Sequence, residues 1–259
     1  MKSKCPEFDG FVDIGTCNIH IIHNSFGKGI KKYGKDCEQL AIDLHSLFKY
    51  SAARREDFRE LQLNLDLEQR IFLEHTNLRW LSIGPSVRRI IKQWEAIEEF
   101  VRCLEGTPRE LPRVCGQRCQ IQAAIKKPVK LVQFHFVASM VPLFEEFMVN
   151  FQHDEPHIHV LYEQMTSLVK TFLLRFVKGE VVASVTPPGL AKLDVSRHYQ
   201  VPDRELVIGE QTRQAVKKLQ KQKAAFFGNA IILHNSIKFS ANQTSSWKQT
   251  TDVPFLLES

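Results

Sequence analysis

Apolar residues recur at helical spacing through most of the chain, and most clearly between residues 75 and 104. There Val87, Ile90, Ile91, Trp94, Ile97, Val101 and Leu104 fall at the three- and four-residue steps that line one face of an α-helix. Gly84-Pro85 comes just before. Proline suits the first helical turn because its missing N–H would have no partner there. Taken as one helix, the stretch carries its charges against the helix dipole. Arg88 and Arg89 crowd the positive end, Glu98 and Glu99 sit toward the negative end, and each such placement costs about 0.3–1 kcal/mol when exposed. The pattern predicts that nearby chain neutralises these charges or that a partner uses them.

The same reading gives the remaining elements. Residues 8–16 suit a short strand, with Phe11, Val12 and Ile14 between Gly10 and Gly15. A lone strand is unstable, so the chain is expected to begin inside a domain whose first half is missing. A helix is expected from Lys35 or Asp36 to Tyr50, and another over 52–63 with Ser51 as its N-cap. Residues 66–72 suit a short turn. Residues 105–130, with Gly106, Pro108, Pro112 and Gly116, read as a long connection holding a short helix near 117–125. Two long helices, 129–151 and 155–177, are expected to break at Asp154-Glu155-Pro156. Residues 181–203 read as loop, 206–227 as a final basic helix, and the polar tail after Asn235 as poorly ordered.

Composition narrows the class. The 259 residues are 43% hydrophobic and 25% charged, enough apolar surface for a core and against global disorder. The net charge of +6 is compatible with a nucleic-acid partner without requiring one. The cysteines, Cys5, Cys17, Cys37, Cys103, Cys115 and Cys119, follow no signal-like segment and read as reduced thiols. The most apolar stretch, 129–151, contains His135, Pro142, Glu145 and Glu146. It therefore reads as a core helix, and no membrane partner is expected.

Candidate chemistry is sparse. Cys17, His20 and His23 are three residues apart, which places them near one face of a helical turn. They suit zinc ligation, or packing and hydrogen bonding with no metal. A fourth ligand would have to come from elsewhere, Cys115 and Cys119 being the nearest candidates. The segment GKGIKKYGK lacks the ending of a phosphate loop, and no H-E-x-x-H, G-x-S-x-G or kinase set occurs. The acid pairs Asp9/Asp13 and Glu145/Glu146 are of a kind common on surfaces. Between 105 and 130 the basic Arg109, Arg113, Arg118, Lys126, Lys127 and Lys130 outnumber Glu105 and Glu110. They are the local candidate for contact with an anion, beside the plainer reading as a solvated loop.

Several of these segments together resemble a known family. Cys17-x-x-His20 with His23, and Arg79-Trp80 within TNLRWLSIGPSVRRIIKQWEAI, are similar to the C-x-x-H and T-R-W blocks of hAT superfamily transposases and of the zinc-finger-associated proteins derived from them. KYSAARREDFRELQ resembles the region between those blocks, and residues 106–178 resemble the family's helical insertion. The resemblance covers most of residues 11–225. It implies a mainly α chain: a fragment of an RNase H-like α/β catalytic domain with a large all-helical insertion. On that basis 1–104 is a partial RNase H-like region, 105–180 the insertion, 181–235 loop plus basic helix, and 236–259 a tail.

The family uses an acidic triad to hold two divalent metals at a phosphodiester. Only Asp9 or Asp13 could match one of its aspartates, and no glutamate after Asn229 carries a recognisable motif. The resemblance thus implies a transposase-derived protein with an incomplete triad, which binds nucleic acid or protein, or forms a homodimer; of a nuclear and a cytoplasmic location it favours the nucleus. No cofactor is expected. Mg2+ or Mn2+ would be needed only for an active nuclease or transposase subunit, for which Glu145 or Glu163 would have to supply the distant carboxylate. A helical protein-interaction module without DNA binding is the other alternative. Arg88, Arg89, Lys92, Arg113, Arg118, Lys126 and Lys127 are the candidate nucleic-acid contacts.

Overall fold

A computed structural model describes residues 18–76, 82–105, 112–151, 158–190 and 192–219. These residues are mainly helical. The helices are α1 (Asn18–Lys49), α2 (Ala52–Asn64), α3 (Ile83–Lys92), α4 (Trp94–Glu105), α5 (Pro112–Ile125), α6 (Val129–Asn150), α7 (Ile158–Leu173), the short α8 (Gly179–Ala183) and α9 (Pro187–Leu190), and α10 (Glu210–Lys218). Among the described residues, β pairing is limited to one isolated antiparallel bridge, Val177 with Gln200. Backbone bonds from Lys178 to Tyr199 at 2.9 Å and from Val201 to Phe176 at 3.0 Å flank it. The expected strand at 8–16 lies outside the described residues.

The first correction concerns α1. The helix expected from residue 35 begins by Asn18 and runs unbroken through Gly27, Gly29 and Gly34. Each glycine costs about 1 kcal/mol relative to alanine in a helix interior. The offset is a seam of buried residues at alternating steps of four and three: Phe26, Ile30, Tyr33, Cys37, Leu40, Leu44 and Leu47. Burying a large apolar side chain contributes about 1.5–3 kcal/mol, so the seam outweighs the glycines.

The second correction concerns residues 83–105, which form two helices broken at Gln93. The Gln93 side chain is 2% exposed and satisfies two elements at once. It accepts from Gln62 Nε2 at 2.7 Å and donates to the Glu68 carbonyl at 3.0 Å. The break also resolves the apparent conflict with the helix dipole. Arg89 and Lys92 now occupy the last turn of α3, and Glu95 the first turn of α4, which are the favourable ends for those charges.

The expected turn is confined to Leu65 and the left-handed Asp66 (φ 54°), and residues 67–76 form no regular element. Side chains, instead of a neighbouring strand, hold this segment's carbonyls. Gln62 donates to the Arg70 carbonyl at 2.8 Å, Arg89 to Ile71 at 2.8 Å and Ser86 to Leu73 at 3.4 Å. Phe72 points inward against Phe48 and Phe58, each ring centroid 5.3 Å away.

α6 is apolar nearly all round, and it is central: α1, α3, α7 and α10 all pack on it. Phe134, Phe136, Met140, Val141, Phe144 and Phe147 are buried along it. Phe144 meets Phe26 of α1 at 4.5 Å and Phe172 of α7 at 6.0 Å. One continuous core runs from Ile22 to Val216, so residues from 1–104, 105–180 and 181–235 share it. Other expectations are met more closely. Ser51 caps α2, its Oγ accepting from the Arg54 N–H at 3.3 Å. The short helix near 117–125 is longer at its start. The basic helix expected over 206–227 is described only as α10, Glu210–Lys218: residues 206–209 are not helical and 220–227 lie outside the described residues. The loop expected over 181–203 includes α9 and a 3-10 turn at Arg197–Tyr199. No described helix is long and apolar enough to cross a membrane.

Candidate functional site

The residues that carry the family resemblance fall largely beyond view. Asp9, Asp13, Cys17, Arg79 and Trp80 lie outside the described residues, and His20 and His23 are placed by backbone alone, in the first turns of α1. Among the described residues, no three His, Cys, Asp or Glu side chains gather in a group that could hold a metal ion. Glu145 faces Arg88, which reaches it with two bonds at 2.9 and 3.2 Å, and Glu163 is exposed on α7.

The basic candidates separate into two sets. Arg88 is engaged by Glu145 on α6 rather than by an acid of its own helix, and Arg89 by the Ile71 carbonyl. Both therefore tie elements together. Lys92 is exposed at the end of α3. Arg113 and Arg118 lie on α5, with Lys126 and Lys127 at its exit. Lys130, two residues on, has a different place. Its side chain is 2% exposed, with Nζ 2.9 Å from Gln133 Oε1 and 3.4 Å from Asp36 Oδ2. The buried Cys37 thiol donates to the same Gln133 oxygen at 3.7 Å, and burial pushes it up to about 12.

Beside this cluster, α1 and α5 border an open groove of about 340 Å³. Leu40, Ala123 and Ala124 line its apolar part, and Asp36, Asp43 and Lys127 are among its polar lining. Asp43 is buried and held by Gln39 Nε2 at 3.0 Å and Gln117 Nε2 at 3.3 Å.

A second polar cluster joins α1, the irregular segment 67–76 and the start of α3. His75 Nδ1 lies 2.8 Å from Ser82 Oγ, and its Nε2 lies 3.5 Å from Glu38 Oε1. The His75 and Glu38 side chains are 0% and 7% exposed. Burial shifts them in opposite directions, lowering His75 and raising Glu38, because it disfavours the charged form of each. No sequence spacing announces this set: Glu38 is 37 residues from His75 by subtraction, and only tertiary packing joins them.

Comparison with known protein families, with curated proteins and with solved structures gave no match.

Proposed function

We propose that this chain is a transposase-derived helical scaffold, without a complete acidic triad, that acts in the nucleus by binding nucleic acid. The observation that carries the reading is the charge around α5. Residues 112–130 contain Arg113, Arg118, Lys126, Lys127 and Lys130 and no acidic residue. Lys130 is buried and bonds Asp36 and Gln133, while Arg113, Arg118, Lys126 and Lys127 lie on α5 and at its exit. Arg88 and Arg89 lie on α3, where they bond Glu145 and the Ile71 carbonyl. Phosphate contacts release counterions, so binding of this kind weakens steeply with salt.

The test is anisotropy of labelled duplex DNA across a salt series. Each phosphate contact contributes about −0.9 to the slope of log affinity against log salt. Replacing Lys126 and Lys127 by alanine is expected to flatten that slope by about 1.8 and to weaken binding similarly on unrelated sequences. Wild-type protein with no affinity at about 50 mM salt would refute the reading. Nicking or joining of DNA ends with Mg2+ or Mn2+ would replace it with the active-subunit reading.

The groove between α1 and α5, with its apolar part and its aspartates, favours a second reading: a protein-docking module. Salt-insensitive binding to a protein partner, with no DNA affinity, would establish it instead.

A further inference from the structure

We propose that the groove between α1 and α5 binds a small ω-amino carboxylate, with its ammonium at Asp43, its methylene chain over Leu40, Ala123 and Ala124, and its carboxylate at Lys127. The proposal shares Lys127 with the nucleic-acid reading but does not rest on that reading. It starts from Asp43, which is 7% exposed and borders the groove. The bonds it accepts from Gln39 Nε2 at 3.0 Å and Gln117 Nε2 at 3.3 Å both end on Oδ1. Among the described side chains, none donates to Oδ2, and no Lys, Arg or His pairs with either oxygen. Two neutral amides on one oxygen supply no counter-charge, and a carboxylate withdrawn from water is costly without one. A cation entering the groove provides it.

The far end of the groove carries the opposite charge. Asp36 precedes Asp43 by two turns of α1, about 10.5 Å along the axis, and lines the same groove. Lys130 Nζ already meets Asp36 at 3.4 Å, so that pair is compensated within the fold. The chain runs from Gln117, bonded to Asp43, to Lys130, bonded to Asp36. That direction puts Lys127 toward the Asp36 end. Lys127 borders the groove, is exposed, and makes no ion pair among the described side chains.

The uncompensated charges are therefore an anion at one end and a cation toward the other, with Leu40, Ala123 and Ala124 supplying the apolar surface. This order fits a zwitterion. A diamine would set its second ammonium against Lys127, and a simple fatty acid would set a methyl group against Asp43. The volume of about 340 Å³ lies within the range of small-ligand clefts.

The experiment titrates the full chain with ε-aminocaproate, followed by calorimetry and by protein NMR, beside caproate, hexylamine and cadaverine. ε-Aminocaproate is expected to bind saturably. Caproate, which lacks the ammonium, is expected to bind at least about tenfold more weakly. Asp43→Asn keeps an Oδ1 acceptor for Gln39 and Gln117 but removes the charge, and is expected to lose about tenfold or more in affinity for ε-aminocaproate. Lys127→Ala, a change at an exposed position, should weaken ε-aminocaproate about two- to fivefold and leave hexylamine unaffected. A purely structural role would not separate the two ligands in that way. The proposal is overturned if wild-type protein shows no saturable binding of ε-aminocaproate, or if cadaverine or hexylamine binds it as tightly. It is also overturned if Asp43→Asn, with unchanged circular dichroism, binds ε-aminocaproate as wild type does, or if Lys127→Ala weakens ε-aminocaproate and hexylamine alike.

Discussion

The contact of α3 with α6 rests on a missing side chain, and Gly84→Ala tests it. A Cβ at Gly84 would lie 2.6 Å from Val141 Cγ1 and 2.5 Å from Glu145 Oε1. The glutamate is the far end of a flexible side chain and can move, but moving it disturbs its two bonds to Arg88 at 2.9 and 3.2 Å. Val141 cannot yield so easily. It is β-branched, its χ1 is restricted within a helix, and it is fully buried on α6. Overpacking of this kind costs about 1–3 kcal/mol, against a gain of about 1 kcal/mol from replacing a helical glycine by alanine. A partly exposed Arg88–Glu145 pair adds about 0–1 kcal/mol if it is lost. The expected net loss is about 1–2 kcal/mol, read as a lower urea midpoint with unchanged m-value. The decisive variant is Gly84→Ala combined with Val141→Ala, which vacates the space the new methyl needs. Val141→Ala alone leaves a cavity and destabilises. In the double variant the two changes compensate, and a coupling of about 1 kcal/mol or more is expected. Additive effects, or a Gly84→Ala protein more stable than wild type, would refute this account of the helix contact.

Three further outcomes follow from the same contacts. Ser51→Ala removes the cap at Arg54 N–H and should cost about 1 kcal/mol in a urea titration, with Ser51→Gly costing less. The pH dependence of stability has opposite signs at the two buried groups. His75 is lowered by burial, so between its folded value and about 6.5 the unfolded chain holds the extra proton and stability falls as pH falls. Glu38 is raised by burial, so the folded chain holds the extra proton above the unfolded value and stability falls as pH rises through that window. His75→Gln should abolish the first dependence and Glu38→Gln the second, each followed by thermal melts across pH 4–8, roughly the span of the two ordinary values. Finally, a thiol reagent at about pH 8, near the ordinary thiol range, should label the exposed Cys103 and Cys119 in folded protein. It should reach Cys37, buried and pushed up to about 12, only after unfolding. Prompt labelling of Cys37 would contradict the packing of α1 on α6.

What the sequence determined by itself was the local alphabet. The three- and four-residue steps around Val87–Val101, the Ser51 cap and the apolar run of α6 were all legible, because each depends on neighbours within one or two turns. Tertiary structure decided where helices continue and where they stop. Three glycines did not end α1, because its own seam of buried residues outweighs their cost. No proline or glycine marked the break at Gln93, because its cause is a side chain satisfying Gln62 and the Glu68 carbonyl from two other elements. That break in turn placed Arg89 and Lys92 at a helix end that favours them, and so removed the conflict the charges showed on paper. The candidate chemistry divides the same way. The basic surplus around α5 could be counted along the chain. The meeting of Glu38, His75 and Ser82 could not, because it exists only where α1, an irregular segment and the start of α3 pack together.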